Sequence, residues 1–152
     1  MTAQTYSTMA DLFLYRVAST PDRPAFQWPD GATWKSMTWR EAGEHVTNAA
    51  GGFRALGLQD EQRVSILSGT RYEWILADLG INCAFGATTT IYPSSKEDEC
   101  QFIITDSGSV MVVAENDGQV KKLLSVRAQM PDVKKVVVID GKATDDGWVI
   151  TW

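Results

Sequence analysis

Apolar residues along this chain repeat with a period that switches several times between that of a helix and that of a strand. From Ser7 to Ser19, Met9, Leu12, Phe13 and Val17 share one helical face; Ser7 or Thr8 can cap the start, and Pro21 lies just past the end. Ala25 to Trp28 and Thr33 to Met37 read as two short strands. Pro29-Asp30-Gly31-Ala32 between them suits a tight reversal, which predicts a hairpin. Thr38 and Glu41 have the spacing of a capping box, and Trp39, Ala42, Val46, Ala49, Ala50, Phe53 and Leu56 follow at helical intervals. Gly57 then supplies a left-handed C-terminal residue.

Beyond Gly57 the pattern alternates regularly. Arg63 to Leu67 is a strand, Ser68-Gly69-Thr70 a turn, and Arg71 to Phe85 a helix apolar nearly all round, which predicts burial on every side. Ala87 to Tyr92 reads as a strand. Ser95, followed by Lys96-Glu97-Asp98-Glu99, reads as a capped helix start whose acids favour the positive end of the dipole, and the helix continues to about Thr105. Val110 to Ala114 is a strand, Asn116 caps a helix reaching Met130 before Pro131, Lys135 to Ile139 is a strand, and Trp148 to Thr151 is a final one. The Val110 and Val136 runs show no in/out alternation, as expected of parallel strands covered on both faces. The fold class is therefore α/β: a mostly parallel sheet flanked by helices, with right-handed crossovers and a small N-terminal hairpin.

Composition narrows the partners. The 152 residues carry 14 Lys and Arg against 19 Asp and Glu, a formal charge of −5, with no basic run of the kind a phosphate backbone requires, so nucleic acid is not an expected partner. The most apolar stretch, Trp74 to Tyr92, is interrupted by Asp78, Asn82, Gly80 and Gly86 and does not read as a membrane span. Met1 to Thr5 lacks the basic and apolar regions of a secretory signal. Cys83 and Cys100 lie in apolar-periodic segments, which points to reduced core thiols in a cytoplasmic protein. One histidine and no close Cys/His set leave no zinc site to propose.

Few residues carry chemistry on their own. Ser68-Gly69-Thr70-Arg71, between a strand and a helix, stands where an α/β protein can hold an anion on backbone N–H groups, but the second glycine and the Lys-Ser/Thr of a phosphate loop are missing. Capping of the helix by Ser68 or Thr70 is the simpler expectation. Glu97, Asp98 and Glu99 are adjacent on a helix and point apart, so they cannot converge on one ion. Asp140, Asp145 and Asp146 fit a polar turn, and His45 has no neighbouring nucleophile or acid in sequence. Trp28, Trp34, Trp39, Trp74, Trp148 and Trp152 suit core and interface packing.

One ensemble of segments goes further. Met37-Thr38-Trp39-Arg40-Glu41, Phe53-Arg54-Ala55-Leu56-Gly57-Leu58, Gln62-Arg63-Val64-Ser65-Ile66-Leu67, Arg71-Tyr72-Glu73-Trp74, Gly86-Ala87-Thr88 and Ile91-Tyr92 together resemble the N-terminal region of adenylate-forming acyl-CoA synthetases. Arg71-Tyr72-Glu73-Trp74 and Asp106-Ser107-Gly108-Ser109 look most like the long-chain fatty acid branch. The resemblance covers about residues 6 to 140. It implies a fatty acid–CoA ligase: ATP and a carboxylate give an acyl-adenylate and pyrophosphate, and the thiol of coenzyme A then displaces AMP. Such chemistry rests on cradled phosphates and Mg2+. The family meets it with a Ser/Thr/Gly-rich loop ending in Pro-Lys-Gly, a later Tyr-Gly-x-Thr-Glu segment, an Asp on the ribose and a Lys on a mobile domain, none of which occurs in these residues.

The expectation that follows is a truncated synthetase, a partial N-terminal subdomain over residues 1–152 that lacks catalytic residues and binds no cofactor tightly. ATP, Mg2+, coenzyme A and a fatty acid belong to the whole enzyme, as does a peripheral membrane contact. Self-association through the truncation surface is expected of the piece. Tyr92, Pro93 and Ser94 fall where related synthetases place an aromatic and paired glycines beside coenzyme A, with Pro93 and Ser94 replacing the glycines. Lys121 and Lys122 lie near where some relatives carry a basic residue for the coenzyme's phosphate; solvated lysines on an amphipathic helix are the plainer reading. The competing reading is a non-catalytic α/β binding or interaction module, which predicts a closed surface.

Overall fold

The computed structural model describes residues 5–152. Helix α1 (Met9–Ser19) is capped by Thr8, whose hydroxyl accepts from the Asp11 amide at 3.0 Å. Strands β1 (Pro24–Asp30) and β2 (Thr33–Thr38) pair antiparallel as the expected hairpin, and Gly31, at φ 61°, takes the left-handed turn position. Helix α2 (Trp39–Ala55) starts at a reciprocal cap: the Glu41 amide donates to Thr38 Oγ1, and the Thr38 amide donates to the Glu41 carboxylate at 2.7 Å.

The remaining elements alternate as the pattern requires: β3 (Arg63–Leu67), α3 (Tyr72–Cys83), β4 (Ala87–Ile91), α4 (Glu97–Asp106), β5 (Ser109–Asn116), α5 (Asp117–Val126), β6 (Lys135–Asp140) and β7 (Val149–Thr151). They build one five-stranded, wholly parallel sheet in the order β4-β3-β5-β6-β7. α3 joins strands running one way along the sheet, whereas α4 and α5 join strands running the other way. Crossovers of one hand must then put α3 on one face and α4 and α5 on the opposite face.

Packing agrees. Val64, Ile66, Met111, Val113 and Val137 point to the face covered by Phe53 of α2 and by Ala77 and Ile81 of α3. Leu67, Val112, Ala114, Val136 and Val138 point to the face covered by Cys100 and Ile104 of α4 and Val120 and Leu123 of α5. Helix α3 is buried on two sides because its other flank, with Leu76 and Leu79, meets Phe13 of α1, Met37 of β2, and Ala42 and Val46 of α2. That explains its lack of an apolar stripe.

Four local expectations are corrected. Neither Ser68 nor Thr70 caps α3; Arg71 occupies that position in extended backbone and makes no side-chain cap. Lys96, not Ser95, precedes α4, and its amide donates to the Glu99 carboxylate at 2.8 Å. Helix α3 stops at Cys83 rather than Phe85, which turns left-handed at φ 59°. Helix α5 ends at Val126 and tightens into a single 3-10 turn, Arg127–Gln129, before Met130.

Candidate functional site

In an open parallel sheet, ligands bind outside the carboxyl ends of the strands where the strand order reverses, here between β3 and β5. The backbone amide of Gly69, in the loop after β3, donates at 3.1 Å to the Glu115 carboxylate at the end of β5. A carboxylate of the chain itself therefore stands where an incoming anion would need that donor. The next cation is also committed: Arg71 Nε and Nη2 donate to the two Glu73 oxygens at 2.6 and 2.7 Å, and Nη1 donates to Asp140 at the end of β6, at 2.6 Å.

Glu73 is 8% exposed. Burial is the strongest single influence and opposes its ionisation, but the Arg71 hydrogen bonds and charge, its own backbone amide and the Tyr72 hydroxyl together outweigh it and hold the carboxyl below the usual range. Hydrogen bonding to Glu73 likewise raises the Arg71 guanidinium against the opposing effect of burial. This strand end does not fit a nucleotide's phosphates, because its amide and its guanidinium already answer to carboxylates of the chain.

The β4 end is arranged differently. Tyr92 projects into solvent, 80% exposed, at the head of a turn closed by the Ser95 amide donating to the Tyr92 carbonyl at 3.0 Å. Pro93 is half-buried and Ser94 exposed. From α5, Lys122 Nζ donates to the carbonyls of Pro93 and Ser95, both at 2.8 Å, and Gln119 Nε2 donates to Pro93 at 3.2 Å. Lys122 is thus a clamp on this turn and not a freely solvated lysine, whereas Lys121 is exposed. Gln119 is buried with its Oε1 unpartnered. Replacing Lys122 by methionine keeps the stem and removes both bonds; the expected result is loss of about 1–3 kcal/mol and faster amide exchange at Ser95, read by hydrogen exchange.

The structure brings Tyr92, Pro93, Ser94 and Lys122 together and leaves the other candidates apart. Glu97, Asp98 and Glu99 are exposed on the first turn of α4, and His45 is exposed on α2. Asp146 accepts from Thr144, Arg127 and the Trp148 amide, which hold its carboxyl far below the usual range, so the polar turn after β6 is a local hydrogen-bond device. Among the described residues no three His, Cys, Asp or Glu side chains converge to hold a metal, and no helix is long and apolar enough to cross a membrane. Cys83 and Cys100 are free thiols whose burial pushes their pKa up, which disfavours thiolate chemistry. The Gly69–Glu115 and Arg71–Asp140 contacts join residues 46 and 69 positions apart and have no local signal in the sequence. Only the Arg71-x-Glu73 spacing was a local signal.

A family model described as AMP-binding enzyme matches residues 13–152. Long-chain-fatty-acid--CoA ligase FadD15 of Mycobacterium bovis is 31% identical over 121 residues, 80% of this chain and 20% of that protein. Long-chain-fatty-acid--CoA ligase ACSBG2 of Xenopus laevis is 31% identical over 130 residues, 86% of this chain and 18% of that protein. The solved acetoacetyl-CoA synthetase of Streptomyces lividans superposes with a TM-score of 0.81 at 22% identity, over 94% of this chain and 24% of that one, which establishes the shared fold. The chain spans about a fifth of the length of the curated relatives it matches.

Proposed function

We propose, from the premise that this chain belongs to the AMP-binding enzyme family, that it is the N-terminal α/β part of a long-chain fatty acid–CoA ligase. The observation that carries this reading is the 31% identity to two long-chain-fatty-acid--CoA ligases across 80% and 86% of the chain. The whole enzyme activates a fatty acid with ATP and Mg2+ to an acyl-adenylate, releasing pyrophosphate, and transfers the acyl group to coenzyme A. The 152-residue chain by itself is inactive and serves as scaffold. Two features support this assignment: the Gly69 loop answers to Glu115 instead of to a phosphate, and Arg71 is consumed by Glu73 and Asp140.

Tyr92, Pro93 and Ser94 are assigned to the coenzyme A side of the whole enzyme. In support, the exposed Tyr92 ring stands on a turn made rigid by Lys122 and Gln119, an arrangement suited to stacking a flat ring. The working compartment of the enzyme is the cytoplasm. Sequencing the coding DNA past codon 152 tests the assignment. The expected result is an in-frame Thr-Ser-Gly-Thr-Thr-Gly-x-Pro-Lys-Gly segment soon after Trp152; a stop codon at that point contradicts it and leaves a non-catalytic binding module.

A further inference from the structure

Two non-glycine residues among those described have left-handed backbone, Glu61 at φ 61° and Phe85 at φ 59°. They are joined to each other: the Glu61 amide donates to the Phe85 carbonyl at 2.7 Å. Glu61 shortly precedes β3 and Phe85 shortly precedes the parallel strand β4, so the pair stands at the amino ends of these strands, opposite the ends that hold Gly69 and Tyr92. Glycine would satisfy this backbone better at position 85. Phe85 instead holds its ring 73% exposed, so packing within the chain does not account for it.

Both residues line a cleft of about 650 Å³, a size suited to a small organic ligand. Its apolar lining comes from Ala10 and Leu14, one turn apart on α1, from Val46 and Ala50, one turn apart on α2, and from Phe85. Leu14 is half-exposed there. The charged residues of the lining are all acids. Asp60 is paired with Arg54 at 2.7 Å, whereas Asp11 and Glu61 form no ion pair among the described residues. No lysine or arginine among the described residues lines the cleft. Uncompensated carboxylates beside an exposed aromatic ring repel an anion and attract a cation, which the carboxylate charge and the negative face of the ring both favour. The apolar wall in turn favours a cation carried on an apolar body.

We propose that this cleft binds a small cationic amphiphile, a protonated amine carried on an alkyl or aryl body, with Glu61 as its counter-ion and Phe85 as its apolar contact. The occupant is chosen by charge: a fatty acid, a nucleotide or coenzyme A carries the wrong sign for a cleft whose charged lining is wholly acidic. The inference does not rest on the ligase reading, because the cleft lies at the other end of the sheet from Gly69 and Tyr92 and shares no residue with them.

Octylamine, octanol and octanoate test this, since they share one chain length and differ in the charge of the head group at neutral pH. Each is titrated as monomer into the isotope-labelled chain and followed by amide chemical shifts. Octylamine should give saturable shifts centred on Glu61, Asn82 and Gly86, with an affinity about tenfold or more above that of octanol, and octanoate should leave those amides unmoved. Glu61→Gln removes the charge and should bring the amine to within about threefold of octanol while octanol binds as before. Phe85→Gly suits the left-handed backbone, so it should keep the fold and weaken amine and alcohol alike by about fivefold or more. Equal affinities for the three compounds overturn the proposal, as do a preference for octanoate and amine-induced shifts spread evenly over the acidic surface. A Glu61→Gln variant that keeps the full preference for the amine, or a folded Phe85→Gly variant that binds like the parent chain, overturns it too.

Discussion

Replacing Arg71 by alanine is expected to destabilise the chain by about 3 kcal/mol at neutral pH. The loss follows from what is left behind. Glu73 is 8% exposed and receives two hydrogen bonds from Arg71, so the variant keeps a buried carboxylate without its cation. Asp140 loses a partner as well, but it is largely exposed and contributes little. Replacing Arg71 and Glu73 together by methionine should recover most of the loss, because the cost lies in the unpaired charge more than in the absent pair.

The acid dependence has a definite sign. In the parent chain the folded pKa of Glu73 is depressed, so its contribution is fully present above the unfolded value, about 4.3, and disappears as pH falls through the folded one. In Arg71→Ala burial prevails and raises that pKa, so the variant regains stability as Glu73 takes up a proton. Urea titrations should therefore show a deficit that is largest near neutral pH and shrinks towards about pH 4. A deficit that is constant over this range would show that Glu73 is not the affected group.

Gly80→Leu is expected to cost about 3 kcal/mol, lowering Tm by on the order of 10 °C. Gly80 is where α3 crosses α2: a Cβ there would stand 2.8 Å from the Ala49 Cβ and 3.5 Å from the Ala50 amide nitrogen. Neither neighbour is the end of a flexible side chain, so relief requires the two helices to part, disturbing Phe53 against the sheet and Val46 against Leu76. Gly51→Ala on α2 supplies the contrast. It meets open space, and the gain in helix propensity should stabilise the chain by up to about 1 kcal/mol. Thermal unfolding of the two variants should thus shift in opposite directions.

The sequence told most where structure is local. Arg63 to Leu67 is legible to the residue because the strand is bounded by Gln62 on one side and Ser68-Gly69 on the other. The Thr38–Glu41 box was equally plain, since both partners lie within one turn. Helix α3 ends two residues before the pattern predicts because Cys83-Ala84-Phe85 is itself apolar, and no residue preference announces the left-handed backbone of Phe85. The pattern carries α5 past Val126 because no glycine or proline intervenes before Pro131, and the tightened last turn leaves no mark in it.

At the candidate site the limit is one of distance. Tyr92 to Ser94 could be singled out by resemblance, but the clamp from Lys122 and Gln119 joins residues 29 and 26 positions apart. The same holds for Glu115 at Gly69 and Asp140 at Arg71. These contacts depend on strand order, which decides that the ends of β3, β5 and β6 lie side by side. They also explain why Ser68-Gly69-Thr70 suggests an anion loop in sequence, while in the fold its glycine amide faces a carboxylate.

As proposed above, this α/β unit scaffolds a fatty acid–CoA ligase whose phosphate chemistry lies outside residues 1–152. The most direct test is pyrophosphate release from ATP and Mg2+, with and without a long-chain fatty acid, measured in parallel on the 152-residue chain and on the polypeptide extended past Trp152. The expected result is fatty-acid-dependent release by the extended polypeptide and none above buffer by the shorter chain. Release by the 152-residue chain alone, or none from a folded extended polypeptide, would contradict it.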